Sequence, residues 1–177
     1  MATLHVYSIA ENKWTQLPSA PSFPRGGTSL VALENHLLRF GGFNGSELGG
    51  QVDVYSINDN EWTSRPFTSG PGNRSVANFV PHPVDKSKAV LLFGEKTPSS
   101  DGHNSAGKFW NDIWVYDFEE DKWTEVIVEA EAASVLSEGG CGWGGACLGM
   151  EGDIYVWGGL NERNERVGSG WRIRLSE

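Results

Sequence analysis

Two carboxylates and an imidazole fall within nine residues at Glu95, Asp101 and His103, in the stretch E-K-T-P-S-S-D-G-H. Such a set can ligate a non-haem Fe(II) ion with open coordination positions, where the metal would act as a Lewis acid or one-electron centre. The same residues also fit a solvated surface loop. Elsewhere in the chain two guanidinium groups, Arg25 and Arg74, each precede an apolar run. Such groups can hold a sulfate, phosphate or carboxylate by bidentate hydrogen bonds, or tie neighbouring elements together through salt bridges. Asn44, in a Gly- and Ser-rich loop expected to face solvent, and Trp143, in C-G-W, complete the candidate substrate-binding set.

These segments need a scaffold, and the apolar pattern supplies it. From Arg25 to Trp62, apolar or β-branched residues come in short runs, Leu30 to Leu33 and Leu37 to Phe40 among them, bounded by Gly, Asn, Asp, Ser and Pro. That is the pattern of hairpins and meanders, with no helical stripe. Asn35 is expected to take the positive φ of a two-residue hairpin loop, and Gly41-Gly42 to end a strand where a Cβ would not fit.

The unit recurs. Y-S-I-A-E-N-K-W (Tyr7 to Trp14), Y-S-I-N-D-N-E-W (Tyr55 to Trp62) and Y-D-F-E-E-D-K-W (Tyr116 to Trp123) are three copies of one hairpin. F-G-G-F (Phe40 to Phe43), F-G-E (Phe93 to Glu95) and W-G-G-L (Trp157 to Leu160) repeat a Gly mark. The Tyr residues lie 48 and 61 apart, which fits a repeat of about 50 residues with one insertion. A Gly pair followed by Tyr and Trp at this spacing resembles the kelch family of β-propellers. The resemblance implies an all-β fold, a partial kelch-type β-propeller of about three blades, each a four-stranded antiparallel sheet.

On this reading the chain is one partial propeller with blade segments near 1–18, 25–66, 74–128 and 140–177. The first segment holds only the last two strands of a blade, and the last lacks its outer strand, for about thirteen strands in all. The six Tyr and Trp residues of the three hairpins are expected to pack between blades. Pro18, Pro21 and Pro24 carry the first connection. The stretch from Glu95 to Trp110 is expected to be a long loop, and residues 129–138 to give a helical turn. The cluster G-G-C-G-W-G-G-A-C lacks the Lys-Ser/Thr ending of a phosphate loop and reads as an inner strand, with Cys141 and Cys147 facing the same side in the core.

In a four-stranded meander, the loop after strand two and the connection after strand four emerge on one face. Arg25, Arg74, Asn44, the Glu95–Trp110 loop and Asn161 to Arg166 are therefore expected to converge at one mouth of the propeller. The order R-G-G-T-S-L, G-F-N-G, N-R-S-V, F-G-E with a His eight residues beyond the Glu, and C-G-W resembles the C-terminal half of the nitrile-specifier branch of kelch proteins. That resemblance implies Fe(II)-dependent, lyase-like action on unstable glucosinolate aglycones, with iron held by a Glu, an Asp four residues on and a His eight on. Those places are Glu95, Ser99 and His103, so the middle ligand is absent and Asp101 is the nearby replacement. An Arg of the family pattern also falls on Cys141.

Composition narrows the partners. The 177 residues carry a formal charge of −9 with a pI near 4.9 and no Lys/Arg run, which argues against nucleic acid or an anionic membrane as partner. No apolar run is long enough to span a bilayer, and the N-terminal M-A-T-L-H-V-Y shows neither the basic flank nor the apolar stretch of a secretory signal, so a cytoplasmic or nuclear location is expected. Two Cys make no disulfide framework. Two function classes follow: a small-molecule site for an anionic ligand, with Fe(II), or a module that binds a protein partner. The open arc implies either a missing N-terminal half or self-association to close the ring.

Overall fold

The computed structural model describes residues 2–101, 105–128 and 140–175, and the described residues contain fifteen strands and no helix. Among the described residues no helix is long and apolar enough to cross a membrane. The helical turn expected in 129–138 lies outside the described residues.

The described residues form five sheets, four of them in succession along the chain and the fifth a short hairpin inserted into the third. A two-stranded ribbon, β1 (Leu4–Ser8) with β2 (Lys13–Leu17), comes first. The second sheet is a meander of β3 (Ser29–Leu33), β4 (His36–Phe40), β5 (Gln51–Ser56) and β6 (Glu61–Pro66). The third is the meander β7 (Asn78–Pro81), β8 (Lys88–Leu92), β11 (Ile113–Asp117) and β12 (Lys122–Glu125). The last has three strands, β13 (Gly145–Leu148), β14 (Ile154–Trp157) and β15 (Gly170–Ile173), all antiparallel.

The stretch expected to be a loop from Glu95 to Trp110 instead forms a hairpin, β9 (Glu95–Thr97) against β10 (Lys108–Phe109), with a register shift between Lys108 and Phe109. A connection of this length seldom lacks structure of its own, and pairing its two ends satisfies backbone groups that would otherwise be stranded.

The cores lie between sheets. Val31 and Leu33 of β3, Leu38 and Phe40 of β4, and Val52 and Val54 of β5 pack against Phe79, Leu91, Tyr116 and Trp123 of the third sheet. Val90, Leu92 and Ile113 of the third sheet pack in turn on Ile154 and Val156 of the last. Central strand β8 (K-A-V-L-L) is buried from Ala89 to Leu92 because it has a sheet on either side. Its continuous apolar run, where β3 alternates, is the consequence. Tyr7 and Trp14 depart from the expected packing between blades: both are exposed, since no sheet among the described residues covers their outer side.

The repeat is visible in backbone conformation as well as in sequence. Gly27, Val76 and Trp143 share one position and one φ, at 59°, 49° and 57°. Gly41, Phe93 and Gly158 share another at 67°, 59° and 69°, and Gly42, Gly94 and Gly159 a third at 110°, 102° and 109°. Only the third position is glycine in all three sheets. A Cβ there would lie 2.9 Å from the carbonyl oxygen of Gly26 for Gly42, 2.8 Å from that of Ser75 for Gly94, and 2.7 Å from that of Gly142 for Gly159. The first residue of the pair varies: a Cβ on Gly41 would collide with the carbonyl oxygen of Arg74, whereas Phe93 takes the left-handed conformation at a cost of about 1 kcal/mol. In the β3–β4 hairpin Glu34 adopts the positive φ, at 45°, where Asn35 was expected to.

Candidate functional site

Three equivalent backbone bridges build the mouth. Gly26 pairs with Phe43, Ser75 with Glu95, and Gly142 with Leu160, so in each sheet the residue entering the first strand is clamped to the residue leaving the second. The three units are joined laterally. Val76 N–H donates to Gly27 O at 2.7 Å, and Trp143 N–H donates to Val76 O at 3.2 Å. Gly42 N–H donates to Arg74 O at 2.8 Å, and Gly94 N–H to Cys141 O at 3.0 Å. The connections before strand one and the loops after strand two thus share a face, as the meander topology requires.

On that face lies a cleft of about 580 Å³. Phe43, Val76, Trp143 and Leu160 give it an apolar wall drawn from three successive sheets. Glu95, Ser75, Ser99, Ser105 and Arg166 supply its polar groups. The Ser99 and Ser105 hydroxyls hydrogen-bond to each other across the hairpin. Trp143 meets Phe109 edge-on, with ring centroids 6.1 Å apart, and stays 43% exposed.

Of the residues singled out by sequence, Glu95 and Trp143 line this cleft, and Asn44 is exposed on its rim between Phe43 and Gly45. Asp101 is exposed beyond Ser99, its backbone N–H donating to Ser99 Oγ at 3.0 Å. His103 lies outside the described residues. Among the described residues no three His, Cys, Asp or Glu side chains gather in a metal-holding cluster.

The two guanidinium groups are tied into the scaffold. Arg74 is fully buried, forked onto both oxygens of Asp112 at 2.6 and 2.9 Å, and it donates to the carbonyls of Phe93 and Gly72. Trp110 covers its face at 5.0 Å. Arg25 donates to Gly41 O at 3.1 Å and pairs with Asp53 at 3.5 Å. Arg74 and Arg25 thus make the same contact in successive sheets, each closing onto the residue with the left-handed φ that ends the second strand. An anion could reach Arg74 only by displacing Asp112, whereas the Nε of Arg25 has no hydrogen-bond partner among the described residues.

Cys141 and Cys147 divide. Cys141 is buried before β13, and burial pushes its thiol up to about 11, so it stays protonated. Cys147 lies within β13 and is exposed, so the expected shared core face does not exist: Cys141 precedes the strand, and alternation does not carry through the turn at Trp143.

Sequence reading missed Glu47. It sits in the loop expected to face solvent, yet it is 6% exposed, and neither carboxylate oxygen has a hydrogen-bond donor among the described residues. Burial raises its pKa to about 7. The nearby Ser75 hydroxyl, outside hydrogen-bonding geometry, offsets this slightly, and the like charge of Glu95 adds to it. A further signal was available from the repeat, since Phe43, Glu95 and Leu160 are equivalent and only the middle sheet puts a carboxylate there.

The fold is that of a partial kelch-type β-propeller. No protein-family model matches the chain. It is 24% identical over 150 residues, 85% of its length, to Kelch-like protein 41b of Danio rerio, of which it covers 22%. It is 25% identical over 127 residues, 70% of its length, to Putative protein tag-53 of Caenorhabditis elegans, of which it covers 9%. The chain therefore spans under a quarter of the length of these relatives.

Proposed function

We propose that the chain is a recognition module of kelch type that takes a segment of a protein partner in the mouth cleft. The observation that carries this reading is the apolar wall of Phe43, Val76, Trp143 and Leu160, which no single blade could provide. Phe43 and Trp143 keep 37% and 43% of their surface open, which suits aromatic anchors awaiting a partner. Similarity to a Kelch-like protein supports the same reading. Selection of the folded protein against a random peptide display library tests it. Enriched peptides should share a pattern and lose binding to Trp143→Ala. Absence of enrichment, or binders indifferent to Trp143→Ala and Phe43→Ala, would overturn it.

A second reading, a small-molecule site with Fe(II), draws on the placement of Glu95 at a position that is apolar in both sister blades. Glu95, Asp101 and His103 would hold the ion, which would supply Lewis-acid or one-electron chemistry. Among the described residues of the set, Glu95 is buried in the cleft and Asp101 is exposed outside it. After anaerobic reconstitution, iron should be retained by the wild type, lost in Glu95→Ala and His103→Ala, and weakened in Asp101→Asn. Equal retention by the wild type and the Glu95→Ala/His103→Ala double variant would remove this reading.

A further inference from the structure

The cleft takes its walls from two different sheets. Pro98, Ser99 and Ser105 belong to the segment inserted into the third sheet, whereas Leu160 and Arg166 belong to the loop after β14 and Trp143 stands before β13. The ladder of a meander does not fix such an insertion against the neighbouring sheet. Its place beside Trp143 depends on contacts made across the gap.

One side chain spans that gap. Glu162, between Leu160 and Arg166, accepts from Lys108 Nζ at 3.0 Å and from the Phe109 backbone N–H at 3.1 Å. The second bond falls where the β9–β10 ladder shifts register, between Lys108 and Phe109. Phe109 is buried and makes the edge-on contact with Trp143. A single carboxylate thus holds the backbone of the residue on which the indole rests.

Glu162 is itself held ready. Asn161 Oδ1 accepts from the N–H groups of Arg163 and Glu165, each at 3.0 Å, and Asn161 N–H donates to Glu165 O at 3.1 Å. A turn cross-bonded in this way presents the carboxylate with little freedom left to lose. Pairing with Lys108, and then the Phe109 N–H, holds the Glu162 carboxyl below its ordinary range, so it is ionised at neutral pH. The side chains of Lys108 and Glu162 are 68% and 38% exposed, and an ion pair that wet contributes little. The bond to Phe109 is therefore the effective one.

We infer that Glu162 is a positioning residue for the mouth cleft, holding Phe109 so that the Trp143 indole is set in place before a partner segment arrives. This rests on the protein-recognition reading above. Glu162 need not touch the partner: it acts by removing the ordering cost that a loose Trp143 would add to binding.

The test compares the wild type with Glu162→Ala, Glu162→Gln and Lys108→Ala by NMR, with N-acetyl-phenylalanine amide as the cleft probe. In Glu162→Ala the Phe109 amide should exchange about fivefold faster and the Trp143 indole N–H resonance should shift. The probe should bind that variant about fivefold more weakly, with the unfolding midpoint unchanged. Glu162→Gln keeps an acceptor for the Phe109 N–H, and Lys108→Ala removes only the wet ion pair, so both should bind the probe as the wild type does. An unmoved Trp143 resonance in Glu162→Ala, probe binding unchanged in that variant, or an equal loss in Lys108→Ala would overturn the assignment. Any of these in a protein that still takes Trp143-dependent peptides sinks the positioning role alone. A wild type that takes neither the probe nor any such peptide sinks the recognition reading, and the inference with it.

Discussion

The Tyr7/Trp14 and Tyr116/Trp123 hairpins are the same object locally and opposite objects in the fold. Their ring centroids lie 5.0 and 4.8 Å apart, both at 42°, and each turn passes through a left-handed Asn12 or Asp121 at φ 51° that accepts the Tyr hydroxyl. Yet Trp14 is 66% exposed and Trp123 only 5%, with Phe40, Phe67 and Phe79 packed on the latter. The difference teaches that the short sequence sets the hairpin, whereas the next blade decides what the hairpin is worth. A contact that looks identical in two copies contributes to stability only where a neighbouring sheet removes it from water.

The largest effect expected from that contrast is in core deletion. Trp123→Ala should cost about 3–5 kcal/mol and Trp14→Ala less than about 1 kcal/mol in urea unfolding. Equal losses would mean that the first ribbon is covered in solution. Ion pairs sharpen the contrast next. Arg74→Met strips Asp112 of its guanidinium and should cost about 3 kcal/mol, whereas Arg25→Met leaves Asp53 with Arg39, Gln51 and Ser64 and should cost about half as much.

How much of this was legible follows from range. The blades, the hairpins and the shared mouth could be read because Tyr, Trp and Gly recur at short spacing and act through local backbone chemistry. The roles of Arg25 and Arg74 could not, since their partners Asp53 and Asp112 lie 28 and 38 residues away and a guanidinium suits an ion pair as well as a ligand. Glu47 was hidden for a related reason. A Gly- and Ser-rich loop reads as solvated, whereas here it closes onto the next connection, where Asn73 and Arg74 donate to the Glu47 and Leu48 carbonyls and the Glu47 side chain is buried.

A smaller effect separates the blade junctions by pH. Glu47 has a folded pKa near 7 against an ordinary 4.5, so the folded state binds the proton more tightly than the unfolded chain. Its contribution is fully present below pH 4.5 and is lost as pH rises through 7, by about 2 kcal/mol once screening by water is allowed for. Unfolding midpoints measured at pH 5 and pH 8 should show that decline, and Glu47→Gln should flatten it. An unchanged pH profile in the variant would assign the decline elsewhere. The smallest expected difference lies in the hydroxyls: Tyr116→Phe should cost about 1 kcal/mol, and Tyr7→Phe, whose hydroxyl is already wet, under about 0.5 kcal/mol by the same unfolding measurement.

The left-handed positions at Gly27, Val76 and Trp143 carry a wider consequence. Each is held by a hydrogen bond to or from the equivalent residue of the adjoining blade, so the backbone conformation survives whatever side chain occupies the place. A hydrogen atom, an isopropyl group and an indole are mounted on one socket and all face the mouth. At the Val76 and Trp143 seats the propeller can thus exchange its vocabulary for ligands by point substitution, whereas at Gly27 an added Cβ would meet Val76 Cγ1 at 2.9 Å.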